Sequence, residues 1–290
     1  MLFQIRGYLL HITHYDPRWF LLKKKEKPFQ ILTAKNIIKV LSEEGFNTII
    51  IDIADGICYK KHPEFRKHYS QSKDILLDLV TFCRSKKFEV IPKLNFSRSE
   101  INTHNHWMRR KNQKWYEEFD DKYYFEKAFD CIDEVIETVK PERFFHVGMD
   151  EDHDRSIEQY VNALMTFRNG LKKRNLTMVA WSDSAVDYPS GALYREKSKA
   201  AEERLPKDTV RLLWNYWGCP ENEIKEISKK GFQLWIAPGW QKKTQILKFR
   251  NAALKYNAKG IVMTRWLPCI KENEKKFIAQ IRNFGYIFCK

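Results

Sequence analysis

Eight short apolar runs, each long enough for a strand, recur along the chain with room for a helix between most of them. They fall at residues 4–12, 46–53, 88–96, 144–147, 177–181, 210–216, 232–237 and 260–266. Helical spacing marks the intervals. Ala34, Ile37, Ile38 and Leu41 share one face, with Thr33 as the expected N-cap and Gly45 as the stop. Ser72 is placed to cap a helix over 72–87, and Phe125, Ala128, Phe129, Ile132, Val135 and Ile136 line one side of 122–138. Further helices are predicted over 157–173, from Pro220, over 245–256 and over 272–283. Strands alternating with helices form a parallel sheet, and a (β/α)8 TIM barrel needs roughly 250 residues. The 290-residue chain is therefore predicted to be one α/β barrel domain spanning 1–290. A doubly wound open sheet competes, but no glycine-rich phosphate loop follows any run. The long connections 55–70 and 97–121 are the expected walls of a site.

In a barrel of this kind the chemistry sits at the C-terminal strand ends. The fourth run empties into a cluster of four acids and two histidines, His146-Val147-Gly148-Met149-Asp150-Glu151-Asp152-His153-Asp154. A strand this apolar has both faces covered, which suits a barrel. Asp150 and Glu151 are then candidates for paired acid–base work. Capping of the following helix by acids is the plainer alternative. The other strand ends offer His11 and His14, Asp52 and Asp55, Asn95, Trp181 and Asp183, Trp214 to Trp217, Trp235 and Trp240, and Arg265 and Trp266, with Arg6 earlier in the first run.

Composition removes several function classes. Hydrophobic residues at 43% and aromatic residues at 14% exclude a disordered chain. No apolar run approaches a membrane span, and the N-terminus lacks a signal-peptide core, so a cytoplasmic protein is expected, with no membrane partner. Six scattered cysteines without a CxxC pair suit free thiols better than disulfides or a zinc site. The net charge of +15 is compatible with a nucleic acid, an anionic polysaccharide or a lysine-rich solvated exterior. Lys23-Lys24-Lys25 and Arg109-Arg110-Lys111 fall in expected loops and no nucleic-acid-binding motif accompanies them, which favours the solvated exterior.

Most of the nine tryptophans gather at the same strand ends as the acids. Each alone is more readily core than ligand, but flat apolar rings beside carboxylates suit a sugar, which offers CH faces to stack and hydroxyls to bond. His146-Val147-Gly148-Met149-Asp150-Glu151 resembles the His-x-Gly-Gly-Asp-Glu motif of glycoside hydrolase family 20, the β-N-acetylhexosaminidases. Phe88-Glu89-Val90-Ile91-Pro92 is similar to that family's third strand, and Tyr69-Ser70-Gln71-Ser72 to the lead-in of the helix before it. Val179-Ala180-Trp181-Ser182-Asp183 looks like its fifth-strand Trp-Asp segment, most similar to the compact hexosaminidase D branch.

The resemblance implies an exo-acting, retaining enzyme without a cofactor, in which the substrate's own 2-acetamido oxygen attacks the anomeric carbon. Glu151 would be the general acid and then base, and Asp150 would orient the acetamido group. Trp181, Trp214 and Trp266 would wall the acetamido pocket, Tyr216 would meet its oxygen, and Arg6 with Asp52 would meet sugar hydroxyls. Asn95, His146 and Asp183 complete the implied substrate site. The implied partner is a glycan or glycoconjugate ending in β-linked GlcNAc or GalNAc, and the charge leaves room for an anionic one. The chain departs from the family at Met149, at Leu94-Asn95-Phe96-Ser97, in the seventh strand, which has no Tyr-x-Asp, and at Leu267-Pro268-Cys269, where a glutamate is common. Two rival readings stand beside this one. A metal-dependent barrel hydrolase would use His11, His14, His146, His153 and Asp150, although His-Ile-Thr-His is not the His-x-His usual there. A barrel that binds glycans without turnover is the other.

Overall fold

A computed structural model describes residues 2–13, 26–98, 107, 108, 110, 112–119, 121–240 and 242–289. Eight parallel strands close a barrel in chain order: β1 (Ile5–His11), β2 (Thr48–Asp52), β3 (Glu89–Lys93), β4 (Phe144–His146), β5 (Thr177–Ser182), β6 (Val210–Trp214), β7 (Gln233–Ala237) and β8 (Gly260–Met263). One barrel helix follows each: α1 (Ile31–Glu43), α2 (Lys73–Ser85), α3 (Lys122–Val139), α4 (Ile157–Lys172), α5 (Ala192–Arg204), α6 (Glu221–Lys229), α7 (Lys243–Lys255) and α8 (Lys271–Cys289). The (β/α)8 expectation holds. Several strands stop short of their apolar runs, because the last residues leave the ladder to form the loops of the C-terminal face.

Side-chain alternation splits each strand between two environments. Ile5, Leu9, Ile50, Ile91, Phe144, Val179, Leu212 and Val262 fill the lower barrel, while the alternate residues meet the helices. Trp235 lies among them against Phe144, ring centroids 5.0 Å apart. It fits because β8 opens with Gly260, where a Cβ would come within 2.7 Å of the indole.

Two local expectations need correcting. Thr33 does not cap α1, whose N-cap position is Gln30; the Thr33 hydroxyl instead donates to Glu274. Helix α5 was not legible at all. Its inner side presents buried Lys197, Ser198 and Glu202 in place of an apolar stripe, because it packs on polar loop backbone. Amphipathic periodicity has nothing to register there.

At the top of the barrel the interior divides in two. The register sets His11, Asp52, Lys93 and His146 side by side on β1 to β4. The corresponding ends of β5, β6 and β8 carry Trp181, Trp214 and Trp266. One half is charged and the other aromatic.

Candidate active site

The centre of the site is the turn that follows β4. Its backbone enters the left-handed region at Gly148 (φ +70°), Met149 (φ +71°) and Glu151 (φ +48°), a conformation that is costly for the two side-chain-bearing residues. Asn95, two residues beyond β3 on the same face as Lys93, holds the turn in place. Its Oδ1 accepts from the Met149 N–H (3.1 Å), the Ser97 N–H (3.1 Å) and the Ser97 hydroxyl (2.8 Å). Those donors fix the amide so that Nδ2 faces Asp150 and donates to its Oδ1 at 2.6 Å. The backbone passes so close that a Cβ on Gly148 would lie 2.2 Å from Asn95 Oδ1. Gly148→Ala should therefore displace both Asn95 and the acids, lowering the thermal midpoint by several degrees and abolishing the site. An unchanged midpoint would contradict this geometry.

Asp150 is buried, and burial pushes its carboxyl up, opposed by the Lys93 ammonium and the Asn95 amide. Glu151 is pushed up to about 7, first by burial and then by the charge of Asp150, against the Tyr188 hydroxyl that donates to its Oε1 at 3.0 Å. The neighbouring acids thus occupy different environments, which is how one site keeps a proton donor beside an anion. Asp183 is buried as well. Its Oδ2 accepts the Glu151 backbone N–H (2.7 Å) and its Oδ1 accepts the Trp214 indole N–H (2.7 Å). Burial and the charge of Asp150 raise it well above the usual carboxylate range.

Aromatic rings run continuously around the other half. Trp181 and Trp266 lie 6.2 Å apart, Trp214 and Tyr216 5.2 Å, and Tyr216 and Trp240 5.3 Å, with Trp217 exposed at the rim. The Tyr216 hydroxyl accepts from Trp266 Nε1 (2.8 Å) and the Thr264 hydroxyl (3.3 Å), which leaves its own hydrogen to donate.

Beneath the acids, Lys93 Nζ bonds Asp52 Oδ2 at 2.7 Å, and His11 Nδ1 bonds the same oxygen at 3.0 Å. Burial raises the Asp52 carboxyl, but the Lys93 ammonium and the hydrogen bond from His11 outweigh it and hold Asp52 far below the usual carboxylate range. His146 is buried against Trp181, and its Nδ1 accepts the Gly148 N–H at 2.9 Å. Burial and Lys93 keep that imidazole neutral. Asp52 Oδ1, His146 Nε2 and Trp181 Nε1 are buried without a hydrogen-bond partner among the described residues, an acceptor and two donors facing the barrel interior.

The structure brings Asp150, Glu151, Asn95, His146, Asp52, Trp181, Asp183, Trp214, Tyr216 and Trp266 to one end of the barrel. Arg6 is not among them. It stands at the start of β1, where its guanidinium donates to the carbonyls of Gly45 (3.0 Å) and Phe3 (3.0 Å) on the N-terminal face. Strand alternation explains the correction: Ile5, Leu9 and His11 point inward, so Arg6 points out. Asn95 and Asp183 lie in the site with their side chains bonded to Asp150, Met149, Glu151 and Trp214. Lys93 and Tyr188 were missed. Lys93 could have been found from its spacing of two from Asn95; Tyr188 carries no local signal. Of the expected walls, 55–70 is held down by Asp55, which accepts from Thr13 and Tyr69, while 97–121 is described only in part.

Of the imidazoles of the metal reading, His11 Nδ1 bonds Asp52, His146 Nδ1 accepts the Gly148 N–H, and His153 bonds Tyr194. His14 lies outside the described residues. Among the described residues no group of three or more His, Cys, Asp or Glu is arranged to hold a metal ion, and no helix is long and apolar enough to cross a membrane.

Fold and site together define a (β/α)8 barrel with an acid pair in the turn after its fourth strand, facing an aromatic half-ring. That fold is shared with the catalytic barrels of glycoside hydrolase family 20. Over 99% of its length the chain superposes on the Streptomyces plicatus N-acetyl-β-hexosaminidase in complex with Thio-NAglucal, at TM-score 0.71 and 14% identity, covering 63% of that chain. The family 20 β-N-acetylhexosaminidase of Streptomyces coelicolor matches over the same share at TM-score 0.69 and 13% identity, with 64% of its chain covered. The exo-β-N-acetylglucosaminidase of Vibrio harveyi, bound to N-acetylglucosamine, matches at TM-score 0.67 and 13% identity, with 54% covered. The chain thus spans less than two thirds of the length of each of these enzymes. No protein-family model matches the sequence, and no curated protein is similar to it.

Proposed function

We propose that this chain is a retaining β-N-acetylhexosaminidase that works by substrate-assisted catalysis, akin to the compact hexosaminidase D branch. The observation that carries the reading is the pair Asp150 and Glu151, adjacent in sequence yet differently set, opposite Trp181, Trp214 and Trp266. Glu151, protonated near neutrality, gives its proton to the glycosidic oxygen as that bond breaks. The sugar's acetamido oxygen closes on the anomeric carbon from the other face, forming an oxazolinium ion. Asp150, aimed by Asn95, accepts the acetamido N–H and balances the new positive charge. Tyr216 has a hydrogen to give to the acetamido oxygen, and the three indoles exclude water from that group. Water then reopens the ring, Glu151 taking its proton, and the anomeric configuration is retained. The buried acceptor Asp52 Oδ1 and the donors around it are available to ring hydroxyls.

Release of nitrophenol from aryl β-GlcNAc and β-GalNAc tests the reading, beside Asp150→Asn. The wild type should cleave at least one of them, a thiazoline analogue of the intermediate should inhibit competitively, and Asp150→Asn should lose about 10²-fold or more in kcat. A wild type that binds the thiazoline but releases no nitrophenol would establish a binding barrel instead.

A further inference from the structure

The loop after β5 touches Glu151 twice, at opposite ends of the residue. Asp183 Oδ2 accepts the Glu151 backbone N–H at 2.7 Å, and Tyr188, five residues later, donates its hydroxyl to Glu151 Oε1 at 3.0 Å. The first contact stabilises a left-handed backbone (φ +48°) that a glutamate does not adopt unaided. The second fixes the direction of the carboxyl. The loop is itself anchored from three sides. Ser198 Oγ on α5 accepts the Asp183 N–H (2.9 Å), Trp214 on β6 binds its Oδ1, and Asn215 Nδ2 donates to the Ala185 carbonyl (2.8 Å). Tyr188 also stands edge-on to Trp217, ring centroids 5.7 Å apart, at the mouth of the pocket where a leaving group departs.

We propose that Asp183 and Tyr188 are positioning residues that together aim the Glu151 carboxyl at the leaving-group oxygen, and that the helix α5 side chain Ser198 holds them in register. This rests on the glycosidase reading and deepens it. Asp183 is held between two N–H donors, one from the acid and one from the aromatic wall, so the spacing between acid and wall is set by a single carboxylate. An asparagine there must turn its amide N–H2 against one of those donors, which releases either Glu151 or Trp214. Loss of the Tyr188 hydroxyl leaves the Glu151 backbone in place and frees only its carboxyl to swing.

A merely structural residue and one that aims a general acid differ in their dependence on the leaving group. Phenyl leaves poorly and needs the proton; 2,4-dinitrophenyl leaves without it. We would compare kcat/KM for phenyl and 2,4-dinitrophenyl β-N-acetylhexosaminides in wild type, Tyr188→Phe and Asp183→Asn. Tyr188→Phe should lose about tenfold on the phenyl glycoside and no more than about threefold on the dinitrophenyl one; Asp183→Asn should show the same contrast, larger, near 10²-fold on phenyl. Among the described residues, Asp150 and Tyr188 act on the Glu151 carboxyl, with Asp183 at its backbone. Removing the Tyr188 donor raises the Glu151 pKa, so the basic limb of the Tyr188→Phe profile should move to higher pH. Equal losses on both substrates, or an unmoved limb, overturn the proposal while the glycosidase reading stands. A wild type inert on both glycosides overturns that reading and this one with it. Should Asp183→Asn not fold, Tyr188→Phe decides alone, since it deletes one oxygen from a half-buried ring.

Discussion

Glu151→Gln should lose about 10²- to 10⁴-fold in kcat/KM on a phenyl glycoside, the range of one general acid, while Kd for the thiazoline analogue changes little. Glutamine keeps the shape and the Tyr188 contact but carries no proton that can be given away. The pH profile makes the expectation sharper. On the glycosidase reading Glu151 must hold its proton, and its pKa is pushed up to about 7, so kcat/KM should fall as pH rises through about 7. Asp150 must be ionised, and its pKa is raised by burial, so the acidic limb should lie above that of an ordinary aspartate. Activity is then bell-shaped between the two, and Glu151→Gln should erase the basic limb while leaving the acidic one. A Glu151→Gln protein that retains wild-type rate on the phenyl glycoside sinks the assignment of the acid.

The largest effect on stability should come from Asp152, which lies next to the acids in a buried ionic cluster. Its carboxylate is wholly buried with Arg155 Nη1 at 2.5 Å and Lys197 Nζ at 3.3 Å, both cations equally buried. It also accepts the backbone N–H of Arg98 (2.9 Å) and of Arg155 (3.1 Å), tying the start of the loop after β3 to the acid turn. Removing one partner of a buried ionic cluster costs about 3–5 kcal/mol, because the remaining charges stay desolvated without a counter-ion. Asp152→Ala leaves two such cations. Against a total stability of about 5–15 kcal/mol for ordinary proteins, that cost should lower the midpoint by on the order of 5–10 °C. Asp152→Asn should not rescue it, since both oxygens already face two N–H donors each. Adding Lys197→Met to Asp152→Ala should recover part of the loss by removing one orphaned charge. If Asp152→Ala melts with the wild type, the cluster is not holding the turn.

How much of this was readable in the chain differs from residue to residue. The helix faces were legible wherever apolar residues alternate at helical spacing, as at Ala34, Ile37, Ile38 and Leu41, and α5 was lost because Lys197, Ser198 and Glu202 stand where such residues would be. Asp150 and Glu151 stood out as candidates because the polarity change at a strand end is a local feature. The hydrogen-bond partners of Asn95 and Asp183 were not legible for the opposite reason. Their partners lie on neighbouring strands, tens of residues away, and a polar side chain at a strand end looks the same whether it meets a sugar or a loop.

By itself, then, the sequence determined the barrel and the strand after which the acid pair lies, since both follow from periodicity and from the polarity change after Val147, which short-range sterics and burial dictate. Only the tertiary structure decided which face and which partner each polar residue received. Closing the sheet turned Arg6 outward to Gly45 and Phe3 and set Lys93 between Asp52 and His146. It also folded the β5 loop back so that Tyr188 reaches Glu151. Those outcomes depend on the register and closure of eight strands at once, and no single stretch of chain contains them.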